Sequence, residues 1–116
     1  MKTTNNLTFG EAIELAKDGH LISRKGWNGK GMFVFMRPED TLSVETIVHK
    51  VKSLPQSVKS YFARQTALDT ENRIEKTEEI RFTSYLCMKA ADGTIVNGWL
   101  ASQTDILAED WQMIIL

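Results

Sequence analysis

The stretch LISRKGWNGKGMFVFMR, residues 21–37, decides how this chain folds. Leu21-Ile22-Ser23-Arg24 reads as a short strand, and Met32-Phe33-Val34-Phe35-Met36 as a buried one that ends at Arg37-Pro38. Between them lies Gly26-Trp27-Asn28-Gly29-Lys30-Gly31, in which Asn28-Gly29 is a strong hairpin dipeptide because both residues tolerate the left-handed region. An antiparallel hairpin therefore stands near the start of the chain, and the neighbouring segments are read outward from it.

Toward the N-terminus, Thr8 and Glu11 have capping-box spacing. Phe9, Ala12, Ile13 and Ala16 then recur on one helical face, and Gly19 is a suitable stop after Asp18. These signals predict a helix over 9–18, preceded by a polar, frayed segment at 1–7. Toward the C-terminus, Val44, Ile47, Val48 and Val51 fit a helical face, and Pro55 suits the first turn of a second short helix carrying Val58, Tyr61 and Phe62. Residues 82–89 read as a strand, Asp92-Gly93 as a tight turn, and 82–100 as a second antiparallel hairpin. A short helical turn at 104–109 and a strand at 111–116 complete the order. This pattern predicts an α+β fold: a mainly antiparallel sheet with an N-terminal helix and a short inserted helical pair. Residues 66–81 are almost all polar or charged, with Leu68, Ile74 and Ile80 isolated, and are expected to form a mobile excursion from a single domain spanning 1–116.

Composition narrows the function classes. Fourteen basic against fifteen acidic side chains leave a formal charge of −1, which argues against binding nucleic-acid polymers, since that needs a net basic face. Cys87 is the only cysteine, so no intrachain disulfide can form, and its apolar neighbours Leu86 and Met88 suit a buried small hydrophobe. No apolar run reaches the ~18–20 residues of a membrane span, and the N-terminus lacks a hydrophobic signal region. A cytoplasmic location is expected. His20 and His49 sit far apart with no Cys or carboxylate at ligand spacing, so no metal site is expected. No phosphate-cradling GxxxxGKS loop, nucleophile elbow or GxGxxG turn is present, and no cofactor is expected.

What remains is a basic turn and a polar run. Arg24, Lys25 and Lys30 bracket Trp27, and the glycines beside Trp27 supply no side chains to surround it. A hairpin turn alone accounts for the glycines; a nucleotide pocket accounts for the tryptophan and the cations together, since an indole face can stack a base for about 1–3 kcal/mol while nearby Lys or Arg pairs with phosphate. The second feature is WLASQTDILAEDW, residues 99–111, where Ser102, Gln103, Thr104 and Asp105 offer the donors and acceptors that base edges and ribose hydroxyls require, beside Trp99. Helix capping by Ser102 or Thr104, with Asp105 in the first turn, explains part of this run. Glu109 and Asp110 read as solvated helix-end charges. An enzyme alternative, a nucleotide hydrolase using Asp105, Glu109 or Asp110, lacks a metal constellation and a placed base. A structural or protein-interaction module would place the tryptophans in a core and leave the basic turn without a task.

The same residues carry a resemblance. Gly26 to Met32, the run from Met88 to Thr94, and Trp99 to Trp111 resemble a family of small phage and prophage proteins, the second type of Thoeris anti-defence protein. The resemblance covers 8–37 and 82–115, with the helices at 43–64 resembling the longer members. It implies a non-enzymatic sponge that binds cyclic ADP-ribose-type signals made by Thoeris TIR proteins, or cyclic oligonucleotides of other defence systems, and holds them intact. It further implies a homotetramer with ligand pockets at subunit interfaces. Asn97-Gly98 stand before Trp99 where proline is common in the family, a departure that bears on ligand identity. The expected site comprises Arg24, Trp27, Asn28, Lys30, Trp99, Ser102, Gln103, Thr104 and Asp105.

Overall fold

The computed structural model describes residues 4–71 and 79–116, and the chain divides into two compact units, Met1–Pro38 with Ser84–Leu116, and Glu39–Thr83.

The first unit is built on a five-stranded, wholly antiparallel sheet of order β6-β5-β2-β1-β7. Its strands are β1 (Leu21–Arg24), β2 (Phe33–Arg37), β5 (Tyr85–Lys89), β6 (Ile95–Asn97) and β7 (Trp111–Ile114). Helix α1 (Phe9–Lys17) packs on β1, β2 and β7. It starts as the sequence predicts: Thr8 Oγ1 accepts the Glu11 N–H at 3.2 Å, and Glu11 Oε1 accepts the Thr8 N–H at 2.9 Å, so two otherwise orphaned donors are satisfied reciprocally. Ala12 and Ala16, one turn apart, let the helix approach the sheet and join Leu7, Ile22, Val34, Met88 and Trp111 in the core. Burying each of the larger of these side chains contributes roughly 1.5–3 kcal/mol. The short helix α4 (Gln103–Leu107) precedes β7.

The second unit pairs β3 (Asp40–Ser43) with β4 (Glu79–Phe82), antiparallel, and packs α2 (Val44–His49) on α3 (Gln56–Glu71). The Ser43 side chain caps α2 by accepting the Thr46 N–H at 3.1 Å.

The α+β class and the antiparallel sheet agree with the sequence. Four local features differ. Leu7, in the segment expected to fray, is buried and bridges Trp111, its N–H donating to the Trp111 carbonyl at 2.8 Å and its carbonyl accepting the Trp111 N–H at 3.1 Å. The strand expected over 82–89 is two strands in different sheets, β4 and β5, because Glu79 to Phe82 alternates exposed with half-buried positions while Cys87 and Met88 are both buried. Strand β3 was not anticipated; Leu42 alone is apolar there, and the strand exists through its register with β4, Leu42 opposite Ile80. Of the segment expected to be a polar excursion, Thr66–Glu71 continues α3 and Glu79–Arg81 lies in β4. Residues 72–78, on which the rest of that expectation falls, lie outside the described residues.

Candidate functional site

Strand β1 runs directly into a 3₁₀ turn, Lys25–Trp27, followed by Asn28 in the left-handed conformation at φ 57° and Gly29 at φ 67°. The connection spans residues 25–32, longer than a two-residue hairpin; the two residues that the sequence singles out are left-handed, and Gly31, at φ 73°, is a third.

This loop is fastened to one residue of the β7 approach. The Lys25 N–H donates to the Asp110 carbonyl at 3.0 Å, the Gly26 N–H donates to Asp110 Oδ2 at 2.9 Å, and Arg24 Nε donates to Asp110 Oδ1 at 2.9 Å. A Cβ on Gly26 would lie 2.9 Å from Asp110 Oδ2, so any larger residue there must displace the carboxylate from its bonds to the loop. Arg24 Nη1 also donates to Asp105 Oδ1 at 2.9 Å. The Arg24 and Asp105 side chains are only 16% and 14% exposed, which places this pair where solvent screening is weak. The bond from Asp110 is the largest influence raising the Arg24 pKa, against the opposing effect of burial. The Asp110 carboxyl is held below its ordinary value by the Arg24 bond first and then the Gly26 N–H, with burial opposing. For Asp105 burial is the largest single influence and acts upward, but the bonds from Arg24 and Ser102 together outweigh it and the net shift is downward.

The polar run 102–105 divides in two. Ser102 and Asp105 form a capping box on α4: Ser102 Oγ accepts the Asp105 N–H at 3.1 Å, and Asp105 Oδ2 accepts the Ser102 N–H at 3.1 Å. Gln103 and Thr104 are exposed, and among the described residues their side chains have no hydrogen-bond partner.

Trp27 does not stand apart from the body of the unit, despite its glycine neighbours. It is half-buried, with its ring centroid 5.3 Å from that of Trp111 and 6.4 Å from that of Trp99, both edge-on. Packing partners come from across the sheet, where local sequence does not reveal them. Trp111 is completely buried, and its Nε1–H donates to the Asp105 carbonyl at 2.8 Å.

A partly open cavity of about 350 Å³ lies against this loop. Trp27, Met32 and Ile114 give it apolar walls, Arg24, Lys25 and Lys30 give it cations, and Ser23 and Gln112 add polar groups. Its volume falls near the lower end of small-molecule sites, ~300–1,000 Å³. Of the nine residues singled out from sequence, Arg24, Trp27 and Lys30 line the cavity; Asn28, Trp99, Ser102, Gln103, Thr104 and Asp105 do not. Ser102 and Asp105 reach it only indirectly, through Arg24. Ser23, Gln112 and Ile114 were missed, because they meet through the β1–β7 pairing, Ser23 opposite Gln112 and Leu21 opposite Ile114. The Lys25 and Lys30 side chains make no ion pair or hydrogen bond among the described residues. The described residues hold no group of three His, Cys, Asp or Glu arranged to bind a metal ion, and no helix among them is long and apolar enough to cross a membrane.

Fold and cleft together define a small antiparallel α+β protein with a tryptophan-walled, basic recess. Residues 7–114 match the Thoeris anti-defense 2-like domain. The chain is also similar to Thoeris anti-defense 2 of Bacillus phage SP01, 35% identical over 114 residues that cover 98% of this chain and 99% of that protein. The chain belongs to the Thoeris anti-defense 2-like family.

Proposed function

We propose that this chain is a phage anti-defence sponge: it binds a cyclic nucleotide immune signal, of the glycocyclic ADP-ribose type made by Thoeris TIR proteins, and holds it intact in the host cytoplasm. Cyclic oligonucleotides of other defence systems form a second candidate ligand class. The observation that carries this reading, beside family membership, is the recess of about 350 Å³ in which a half-buried indole stands between two lysines that have no side-chain partner among the described residues. An aromatic face takes a base, and free ammonium groups take phosphate. Trp27 stacks the adenine, Lys30 faces a phosphate with Arg24 behind it, and Ser23 and Gln112 supply polar contacts from the wall, while Asn28, Gln103 and Thr104, which do not line the recess, would contribute only from outside it. Trp99, Ser102 and Asp105 act on the site by supporting Trp27 and Arg24.

The role is binding without turnover. Asp105 and Asp110 are both committed to Arg24 and held below the ordinary carboxylate range, which makes them poor proton acceptors near neutral pH. A homotetramer fits the exposed apolar side chains of this unit: Leu100 is 90% and Leu107 78% exposed, and Ile95, Val96 and Ile106 are about half exposed. A neighbouring subunit would close the recess. Native mass spectrometry of the protein mixed with glycocyclic ADP-ribose tests the proposal. A tetramer mass raised by whole, unaltered ligands is expected; a monomer mass with no ligand bound contradicts it.

A further inference from the structure

The recess contains three cations, but they are not equivalent. Arg24 lies between Asp105 and Asp110, both 2.9 Å from its guanidinium, so its charge is already matched, and the trio as a whole carries one negative charge in excess. Among the described residues Lys25 and Lys30 have no such partners, and they flank Trp27 on the same loop. The Lys25 backbone is fixed from both sides: its N–H reaches the Asp110 carbonyl at 3.0 Å, and its carbonyl accepts the Asn28 N–H at 3.1 Å.

We infer that Lys25 and Lys30, rather than Arg24, pair with the ligand's phosphates, and that Arg24 with Asp110 forms a strut that positions the loop carrying both lysines and Trp27. The inference builds on the binding role proposed above. It adds to that reading which of the three cations of the recess meet the ligand's negative charge. Arg24 and Asp110 are positioning residues. A planar fork that engages two carboxylates cannot be replaced by the single ammonium of lysine.

Titration calorimetry with cyclic ADP-ribose and its glycocyclic isomer, between low and high salt, separates these roles. Exposed charge pairs are weak and screened by salt, so Lys25→Gln and Lys30→Gln should each lower affinity about 3- to 5-fold at low salt and flatten its salt dependence. Arg24→Lys keeps the charge but loses the fork; it should bind more weakly than wild type while keeping the wild-type salt dependence. Asp110→Asn should resemble Arg24→Lys. If Arg24→Lys retains wild-type affinity, or if both lysine variants keep the full salt dependence, the assignment is overturned while the sponge role stands. If the wild-type protein binds neither probe at any salt concentration, both fail together.

Discussion

Trp111 is the residue whose loss should cost most, and the expected size follows from its surroundings. It is fully buried and touches Phe9, Trp27 and Trp99 at centroid distances of 5.5, 5.3 and 6.3 Å. Its indole N–H also satisfies the Asp105 carbonyl at 2.8 Å, which α4 cannot satisfy itself because the helix ends at Leu107, before the residue four positions on. Trp111→Ala removes the ring and leaves a cavity, at a cost of about 3–5 kcal/mol, with the lost hydrogen bond adding about 1 kcal/mol. Since whole domains are stable by only ~5–15 kcal/mol, that variant should be mostly insoluble or unfolded when warmed. Trp111→Phe is the more informative change. It keeps most of the aromatic packing but strands the carbonyl, so about 1–2.5 kcal/mol should be lost. At roughly 3–6 °C per kcal/mol for a chain of this size, the melting midpoint should fall by about 3–15 °C. Thermal melts followed by near-ultraviolet circular dichroism would measure it. A Trp111→Phe midpoint within ~2 °C of wild type would refute the importance given to both the hydrogen bond and the packing.

Other consequences are smaller. Trp27→Ala, at a half-buried site, should cost about 1–2 kcal/mol of folding stability. It should also abolish the ligand-induced rise in melting temperature, a rise worth about 2.7 kcal/mol at a hundredfold excess over Kd in the wild type. Thermal shift with and without glycocyclic ADP-ribose reads both effects, and a preserved ligand shift would move the stacking surface elsewhere. Gly26→Ala places a methyl 2.9 Å from Asp110 Oδ2 and should cost about 1–2 kcal/mol in urea denaturation, with loss of ligand binding; an unchanged midpoint would mean that the carboxylate is free to move. Asp105 and Asp110 both have folded-state values below the ordinary 3.8. Their contribution to stability is therefore full above that value and is lost as pH falls through the folded values. Asp110→Asn should lower stability at pH 6 and flatten the fall in melting temperature between pH 4 and pH 2.5 relative to wild type; parallel acid profiles would show that the strut makes no ionic contribution.

Much of the first unit is legible in the sequence because its signals are local. The capping box at Thr8 and Glu11, the left-handed pair Asn28-Gly29 and the turn at Gly93 each act within four residues, and each stands where its chemistry predicts. The second unit is less legible. Strand β3 has little apolar pattern of its own, and α3 continues past Phe62 through a polar run whose helical period is weak. At the site, sequence identifies the tryptophan and the cations but misjudges their surroundings. Arg24 meets carboxylates 81 and 86 positions away, and no local pattern announces that pairing. Capping explains Ser102 and Asp105, while the Gln103 and Thr104 side chains have no hydrogen-bond partner among the described residues.

Sequestration without destruction is the central claim, and one experiment distinguishes it from its rivals. The signal produced by a Thoeris TIR protein is incubated with an excess of this protein, and the mixture is assayed for activation of the downstream Thoeris effector before and after heating to denature the protein. The account predicts no activation before heating and restored activation afterwards, with the released signal unchanged in mass. Activation that stays absent after heating, with an altered product in solution, would contradict it.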